Sequence, residues 1–316
     1  MPDKLMRKDK IYISAYIFIY IIAALVLVVV FQNPVEDILT GLFSFGIGFS
    51  LVAWLLTKNI SNSGIDKHPF KNEAWLLFAL IFWIILYITY GSSFVDHLVP
   101  ASILQNDRAY AFVILARKLL VFVMVPLLLY RLAGFSLTDF GLEAPIKNIF
   151  SKKSLITFCV ISVIVLAFQY FMSNGGKHFR EGNFSFAQML AGFPLLFIWL
   201  FLEVGLVEEF FFRGLLQSRM SALLKSNAGG ILISGLIFGL AHAPGLYLRG
   251  FGETEGITES LPFAFWAAYT VCTMSVGGIF IGIIWSKTKN LYLIMAIHAM
   301  LDIIPNFANF VHTWKL

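Results

Sequence analysis

Nine apolar stretches follow one another along this 316-residue chain, near 11–31, 38–57, 74–92, 109–132, 154–173, 188–207, 228–243, 263–286 and 290–310. A helix rises about 1.5 Å per residue, so a run of about 20 apolar residues crosses a hydrocarbon core of roughly 30 Å. The seventh run is the shortest and lies nearest the lower limit of a span. With 59% hydrophobic and only 13% charged residues, and a mean hydropathy of +0.82, the composition excludes a soluble globule. The fold class that follows is all-α, a polytopic transmembrane bundle of about eight or nine helices in a lipid bilayer.

The cations outside the spans set an orientation. Lys4, Arg7, Lys8 and Lys10 precede the first run; Lys58, Lys67 and Lys71 follow the second; Arg131, Lys147, Lys152 and Lys153 follow the fourth. Arg219 and Lys225 follow the sixth, and Lys287 and Lys289 the eighth. The other side has Arg108, Lys177, Arg180, Arg249 and Lys315. The excess predicts a cytoplasmic N-terminus and an outside C-terminus, for a multi-pass protein of the cell membrane. The formal charge of +5 is then a topology signal, and its scatter over many loops gives no nucleic-acid partner. The first apolar run is longer than the core of a cleavable signal, which makes it an uncleaved helix. Cys159 and Cys272 both fall inside spans, at no metal or redox spacing, and are expected to pack.

The chain divides into N-terminal transmembrane helices and a cytoplasmic linker over 1–150, and a transmembrane core over 151–316 whose motifs fall within 190–310. The linker, Gly134 to Lys153, contains the turn-like Thr138-Asp139-Phe140-Gly141 and Ala144-Pro145. A second polar loop, Pro244 to Pro262, carries Glu253, Glu255 and Glu259. The core concentrates ionisable groups that are costly in hydrocarbon. Glu208-Glu209-Phe210-Phe211-Phe212-Arg213 puts Glu209 and Arg213 one turn apart, an arrangement suited to an ion pair, with Glu208 rotated about 100° from Glu209. The alternative is three interfacial residues at a helix end. Glu203, in the same span, is paired here with Arg117 as a guess.

Phe238-Gly239-Leu240-Ala241-His242 ends a run in which Gly229, Gly230, Ser234, Gly235 and Gly239 permit a close helix approach. Taken alone, His242 reads as a satisfied core histidine. His298-Ala299-Met300-Leu301-Asp302 adds a second imidazole with a carboxylate four residues on, which can fix its tautomer, act as a ligand or simply seal the bundle. A carboxylate and two imidazoles drawn from three helices suit amide hydrolysis, which needs a base for water and a centre to hold the oxyanion. Two routes stay open. In one, His242 and His298 bind a divalent metal such as zinc, completed by Glu208, Glu209 or Asp302. In the other, Glu208 and one histidine activate water without a metal.

The three motifs in this order, Glu-Glu-x-x-x-Arg at 208–213, Phe-x-x-x-His at 238–242 and His-x-x-x-Asp at 298–302, resemble the CAAX-protease and bacteriocin-processing family. That family comprises intramembrane endopeptidases related to the type II CAAX prenyl endopeptidases and often described as metalloproteases. The likeness covers about 190–310, with a faint echo at Asp139-Phe140-Gly141-Leu142. It implies that Glu208 activates water, that Glu209 and Arg213 support it, and that His242 and His298 are the essential histidines. Asp302 stands where prenyl-processing members usually have asparagine, and a carboxylate there repels an oxyanion unless it is protonated or metal-bound. The metal ligands implied are Glu208, His242, His298 and Asp302. Candidate substrates are peptide precursors or membrane proteins, in bacteriocin processing or self-immunity. Signatures of zincin-like, rhomboid and presenilin proteases are absent. The competing class is a non-catalytic scaffold or a transporter using buried charges, and no inverted repeat supports the latter.

Overall fold

The computed structural model describes residues 2–60, 68–143, 146–249 and 261–316. Glu253, Glu255, Glu259, Lys67 and the Ala144-Pro145 turn lie outside those residues. Among the described residues nine helices are long and apolar enough to cross a membrane: α1 Lys8–Val30, α2 Val35–Thr57, α3 Glu73–Gly91, α4 Asp107–Leu132, α5 Lys152–Met172, α6 Phe186–Leu224, α7 Asn227–Leu248, α8 Phe263–Thr288 and α9 Leu291–Trp314. No strand occurs among them. The protein is an all-α polytopic helix bundle, as the apolar runs predict.

Two spans differ from their expected bounds. The sixth, read as 188–207, continues to Leu224 as one 39-residue helix. The charged residues that broke its apolar run are buried against other helices and do not end it. The seventh, read as 228–243, reaches Leu248 with Pro244 inside it.

Local chemistry fixes the turns that juxtapose the core helices. Lys225 adopts a left-handed φ of 52° at the end of α6, and the Ser226 hydroxyl accepts from Gly229 N at 2.9 Å to start α7. Lys289, with φ 47°, closes α8, and Asn290 Oδ1 accepts from Leu293 N at 3.1 Å to start α9. Each connection is therefore a residue or two long. The linker turn Leu137–Phe140 is a 3-10 turn with a capping box between Ser136 and Asp139. Its Phe140 is fully buried, and its carbonyl lies 3.0 Å from where a Cβ would stand on Gly214 of α6.

The largest apolar cluster draws Phe49, Leu77 and Phe122 from before residue 150 and Phe211, Phe280 and Ile297 from after it. The glycine face of α7 does what its small residues predict. A Cβ on Gly239 would stand 2.7 Å from the Thr270 carbonyl and 2.9 Å from Ser275 N of α8. The first helix braces the same pair, with Tyr16 hydrogen-bonded to Ser275 at 2.7 Å and Tyr20 donating to the Cys272 carbonyl at 3.3 Å. Cys159 and Cys272 are free thiols.

Arg219 was read as a loop cation. It lies inside α6, 2% exposed, and pairs with the equally buried Glu73 at the start of α3. Arg219 Nη2 donates to Glu73 Oε2 at 2.9 Å, Tyr130 donates to Oε1 at 3.3 Å, and the guanidinium covers the Phe135 ring at 4.7 Å. Composition counting cannot separate such a cation from a loop residue, because only its partner 146 positions away reveals it. Arg219→Ala strands a buried carboxylate and is expected to cost about 3–5 kcal/mol, read as a lower thermal unfolding midpoint in detergent. Glu73→Leu/Arg219→Leu, which removes both charges, should recover most of the loss; equal midpoints for Arg219→Ala and the unmodified protein would rule the clamp out.

Candidate active site

Glu208 and Glu209 sit near the middle of α6, in a short α-helical stretch, Val207–Glu209, between π-helical turns at Phe201–Leu206 and Phe210–Gln217. Such widened turns recur at functional sites because they re-aim side chains within a continuous helix. Gly205 makes the approach to α9 close: a Cβ there would stand 2.7 Å from the Met295 carbonyl. Glu209 is 0% and Arg213 1% exposed, so the alternative of interfacial groups at a helix end does not hold.

Arg213 Nη1 donates to Glu209 Oε1 at 2.9 Å, and Arg213 Nη2 to the Gly278 carbonyl of α8 at 3.4 Å. His298 Nδ1 donates to the same Glu209 oxygen. The expected partner of His298 was Asp302, one turn on. The structure corrects this, since Asp302 Oδ2 stands 3.8 Å from His298 Nε2, beyond hydrogen-bond range, and it is Glu209 that holds the ring. His242 is oriented differently, with its Nδ1 donating to the Phe238 carbonyl at 2.8 Å. Because both imidazoles spend their Nδ1 protons on fixed acceptors, both turn Nε2 the other way.

What those nitrogens face is Glu208. Its Oε2 lies 3.8 Å from His242 Nε2 and 3.9 Å from His298 Nε2, buried with no hydrogen-bond partner among the described residues. The two histidines thus meet although His242 is 15 residues into α7 and His298 seven into α9. That eight-residue difference, about 12 Å at 1.5 Å per residue, is taken up by a stagger or tilt of α7 against α9. Phe238 joins the parts: its ring lies under the Arg213 guanidinium at 4.3 Å and against His242 and His298 at 4.7 and 6.1 Å between centroids.

Glu208 and His242 line a cavity of about 720 Å³ together with Phe212, Lys118, Arg117 and Glu203, large enough for a stretch of peptide. The Arg117–Glu203 pairing expected from the sequence is replaced by two others. Lys118 pairs with Glu203, and Arg117 with Asp96 at 2.7 Å. Lys118 follows Arg117 directly on α4, so the helix turn decides which of the two faces α6, and a span with two adjacent cations does not declare that choice.

The donor chemistry of Glu208, His242, His298 and Asp302 is of zinc type, but their spacing is not. Two ligands on a tetrahedral ion at about 2.0–2.1 Å stand about 3.4 Å apart, and the separations here are 3.8–3.9 Å. No group of three or more His, Cys, Asp and Glu side chains among the described residues is placed to hold a metal ion. As they stand, these residues do not fit a metal. They do fit a water molecule, which can donate to the Glu208 carboxylate and to a ring nitrogen.

The two glutamates should separate by stability. Glu209→Ala leaves Arg213 as a buried unpaired charge and is expected to cost about 3–5 kcal/mol. Glu208→Gln removes a carboxylate whose Oε2 has no hydrogen-bond partner among the described residues and faces the two imidazoles at 3.8 and 3.9 Å, and should lower the thermal midpoint less than Glu209→Ala does. A larger loss for Glu208→Gln than for Glu209→Ala would reverse the assignment of supporting pair and free carboxylate.

No curated protein and no solved structure matches the chain. Residues 190–304, from the first turns of α6 into α9, match the family model described as Type II CAAX prenyl endopeptidase Rce1-like. All seven residues named by the three motifs fall within that stretch. The segment that builds the site is therefore similar to the Rce1-like CAAX prenyl endopeptidases, the family that the three motifs resemble.

Proposed function

We propose that this protein is an intramembrane endopeptidase in which Glu208, beside His242, activates water and His298 holds the developing oxyanion. The observation that carries this reading is Glu208 Oε2, buried without a hydrogen-bond partner among the described residues and facing two ring nitrogens whose other sides are tied down. A purely packing scaffold gains nothing from a carboxylate left unsatisfied in this way, since an orphaned buried polar group destabilises the fold.

The step balances on residues of this chain. Water donates a proton to Glu208 as its oxygen attacks the scissile carbonyl carbon. The carbonyl oxygen becomes an oxyanion, stabilised by the Nε2 proton of an imidazolium at His298, whose Nδ1 proton rests on Glu209. Glu208 then returns its proton to the amide nitrogen, the C–N bond breaks, and an acid and an amine leave. Glu209 and Arg213 position His298, and Asp302 flanks it. The metal route is not used here, because the donor spacing does not suit it.

We place the protein in the cell membrane with its N-terminus cytoplasmic, on the distribution of its cations. Its substrate is a peptide precursor or membrane protein cut near the bilayer, with bacteriocin processing or self-immunity as the setting. The test is terminal-peptide proteomics on membranes and medium of the native host, comparing the unmodified protein with Glu208→Gln at matched expression. New termini confined to the unmodified protein are expected, and should persist in the presence of a zinc chelator such as 1,10-phenanthroline; indistinguishable termini with and without Glu208 would overturn the reading.

A further inference from the structure

The motif on α9 does not stop at Asp302. Polar residues recur at His298, Asp302, Asn306, Asn309 and Thr313, steps of four, four, three and four that keep them on one helix face. The last three lie beyond the segment that matches the protease family. Asn306 and Asn309 are exposed, although α9 is long and apolar enough to span the bilayer. Asn306 stands eight residues, roughly 12 Å, inside the end of the helix at Trp314. Asn306 Nδ2 donates to the Asp302 carbonyl at 2.9 Å, which leaves its second N–H and its Oδ1 to be met; an amide turned to hydrocarbon at that depth is costly, so this face calls for water or a polar ligand.

Cavities follow the stripe. One of about 170 Å³ is lined by Asn306, Asn309 and Thr313, with Ile114 and Glu203 also in its wall. It shares Ile114, Glu203 and Asn309 with the cavity that contains Glu208 and His242. It shares Thr313 with a third, of about 300 Å³, at Asn106, Asp107 and Arg108. Arg108 anchors that end by donating to the Thr313 and Trp314 carbonyls at 3.1 and 2.6 Å. The three voids share wall residues in a row that traces a passage from the start of α4 to Glu208.

We propose that this passage is the substrate groove: an extended polypeptide segment on one side of the scissile bond lies along Asn306, Asn309 and Thr313. The proposal rests on the proteolytic reading of Glu208. From Thr313 to His298 is 15 residues of helix, roughly 22 Å, the span of about six or seven residues of extended chain. A peptide bond must be held extended to be cut, and an extended chain at membrane depth must have its N–H and C=O groups satisfied by something. Asparagine offers a donor and an acceptor together, and successive polar side chains along the stripe rise by about 4.5–6 Å, close to the roughly 6.6 Å between same-side groups of a strand. The wall also contains Trp199, Trp314 and Leu196, apolar seats that suit peptide side chains and serve no purpose in a path for water alone.

The test is photocrosslinking in native-host membranes. The full chain carries Glu208→Gln, so that substrate binds without turnover, and p-benzoylphenylalanine replaces Asn306, Asn309 or Thr313 in turn. Leu195, 48% exposed on α6 and outside these cavities, is the control position. Polypeptide adducts at the three groove positions, absent at Leu195, are the expected result. Lipid adducts alone, or equal polypeptide adducts at Leu195, would overturn the groove. So would an Asn309→Cys protein, made with Cys159→Ser and Cys272→Ala, that reacts readily with a water-soluble maleimide while the benzophenone at 309 takes no polypeptide; that pairing assigns the passage to water. Groove adducts in a host where the unmodified protein generates no Glu208-dependent termini would support the peptide site and remove the hydrolytic reading, so the two fail separately.

Discussion

Glu209 Oε1 accepts from two cationic or cation-capable groups at once, the Arg213 guanidinium and the His298 ring. Placing a carboxylate, a guanidinium and an imidazole where exposure is near zero is unfavourable for each singly, and tolerable only if they satisfy one another. That mutual need fixes α6 against α9, and through Arg213 and Gly278 it fixes α6 against α8. It also fixes the orientation of the His298 ring, and hence which nitrogen faces Glu208. The supporting pair and the chemical group are neighbours in sequence because one helix must present both, on faces about 100° apart.

Around this triad the close packing is made by glycine. Gly205 admits the Met295 backbone and Gly239 admits that of Thr270 and Ser275, so two pairs of helices, α6 with α9 and α7 with α8, approach at distances no larger side chain allows. Phe238 fills what remains, its ring shared by Arg213, His242 and His298. Glu209 and Glu208 each keep a buried Oε2 with no hydrogen-bond partner among the described residues, but only that of Glu208 faces the two histidine Nε2 atoms, at 3.8 and 3.9 Å, and an imbalance placed there is what a reacting water would relieve.

Much of this was legible beforehand. Apolar runs of spanning length announce helices whatever their packing, and ionisable residues inside such runs stand out because hydrocarbon penalises them. Spacing of four residues placed Glu209 with Arg213 correctly. At Asp302 the same spacing gives an ion pair at 3.8 Å, while the hydrogen bond from His298 goes to a carboxylate delivered from another helix. The loop reading of Arg219 and the pairing of Glu203 with Arg117 fail for a related reason: Arg219 meets Glu73 and Glu203 meets Lys118 across 146 and 85 positions. The end of α6 was missed because a hydropathy window treats buried charge as a boundary. The asparagines of α9 carried a readable signal, a polar face continuing past His298, but neutral amides raise no alarm in a count of charges.

The central claim is that Glu208 and His298 act as a single unit, Glu208 on the attacking water and His298 on the carbonyl oxygen under attack. The most direct measurement is a double-mutant cycle on the purified protein with a peptide spanning an observed cleavage site, comparing Glu208→Gln, His298→Ala and both together. Groups that act as a unit are strongly non-additive, so the double variant should lose no more kcat/KM than the worse single one. Losses that multiply would mean that the two residues contribute independently, and would contradict the account.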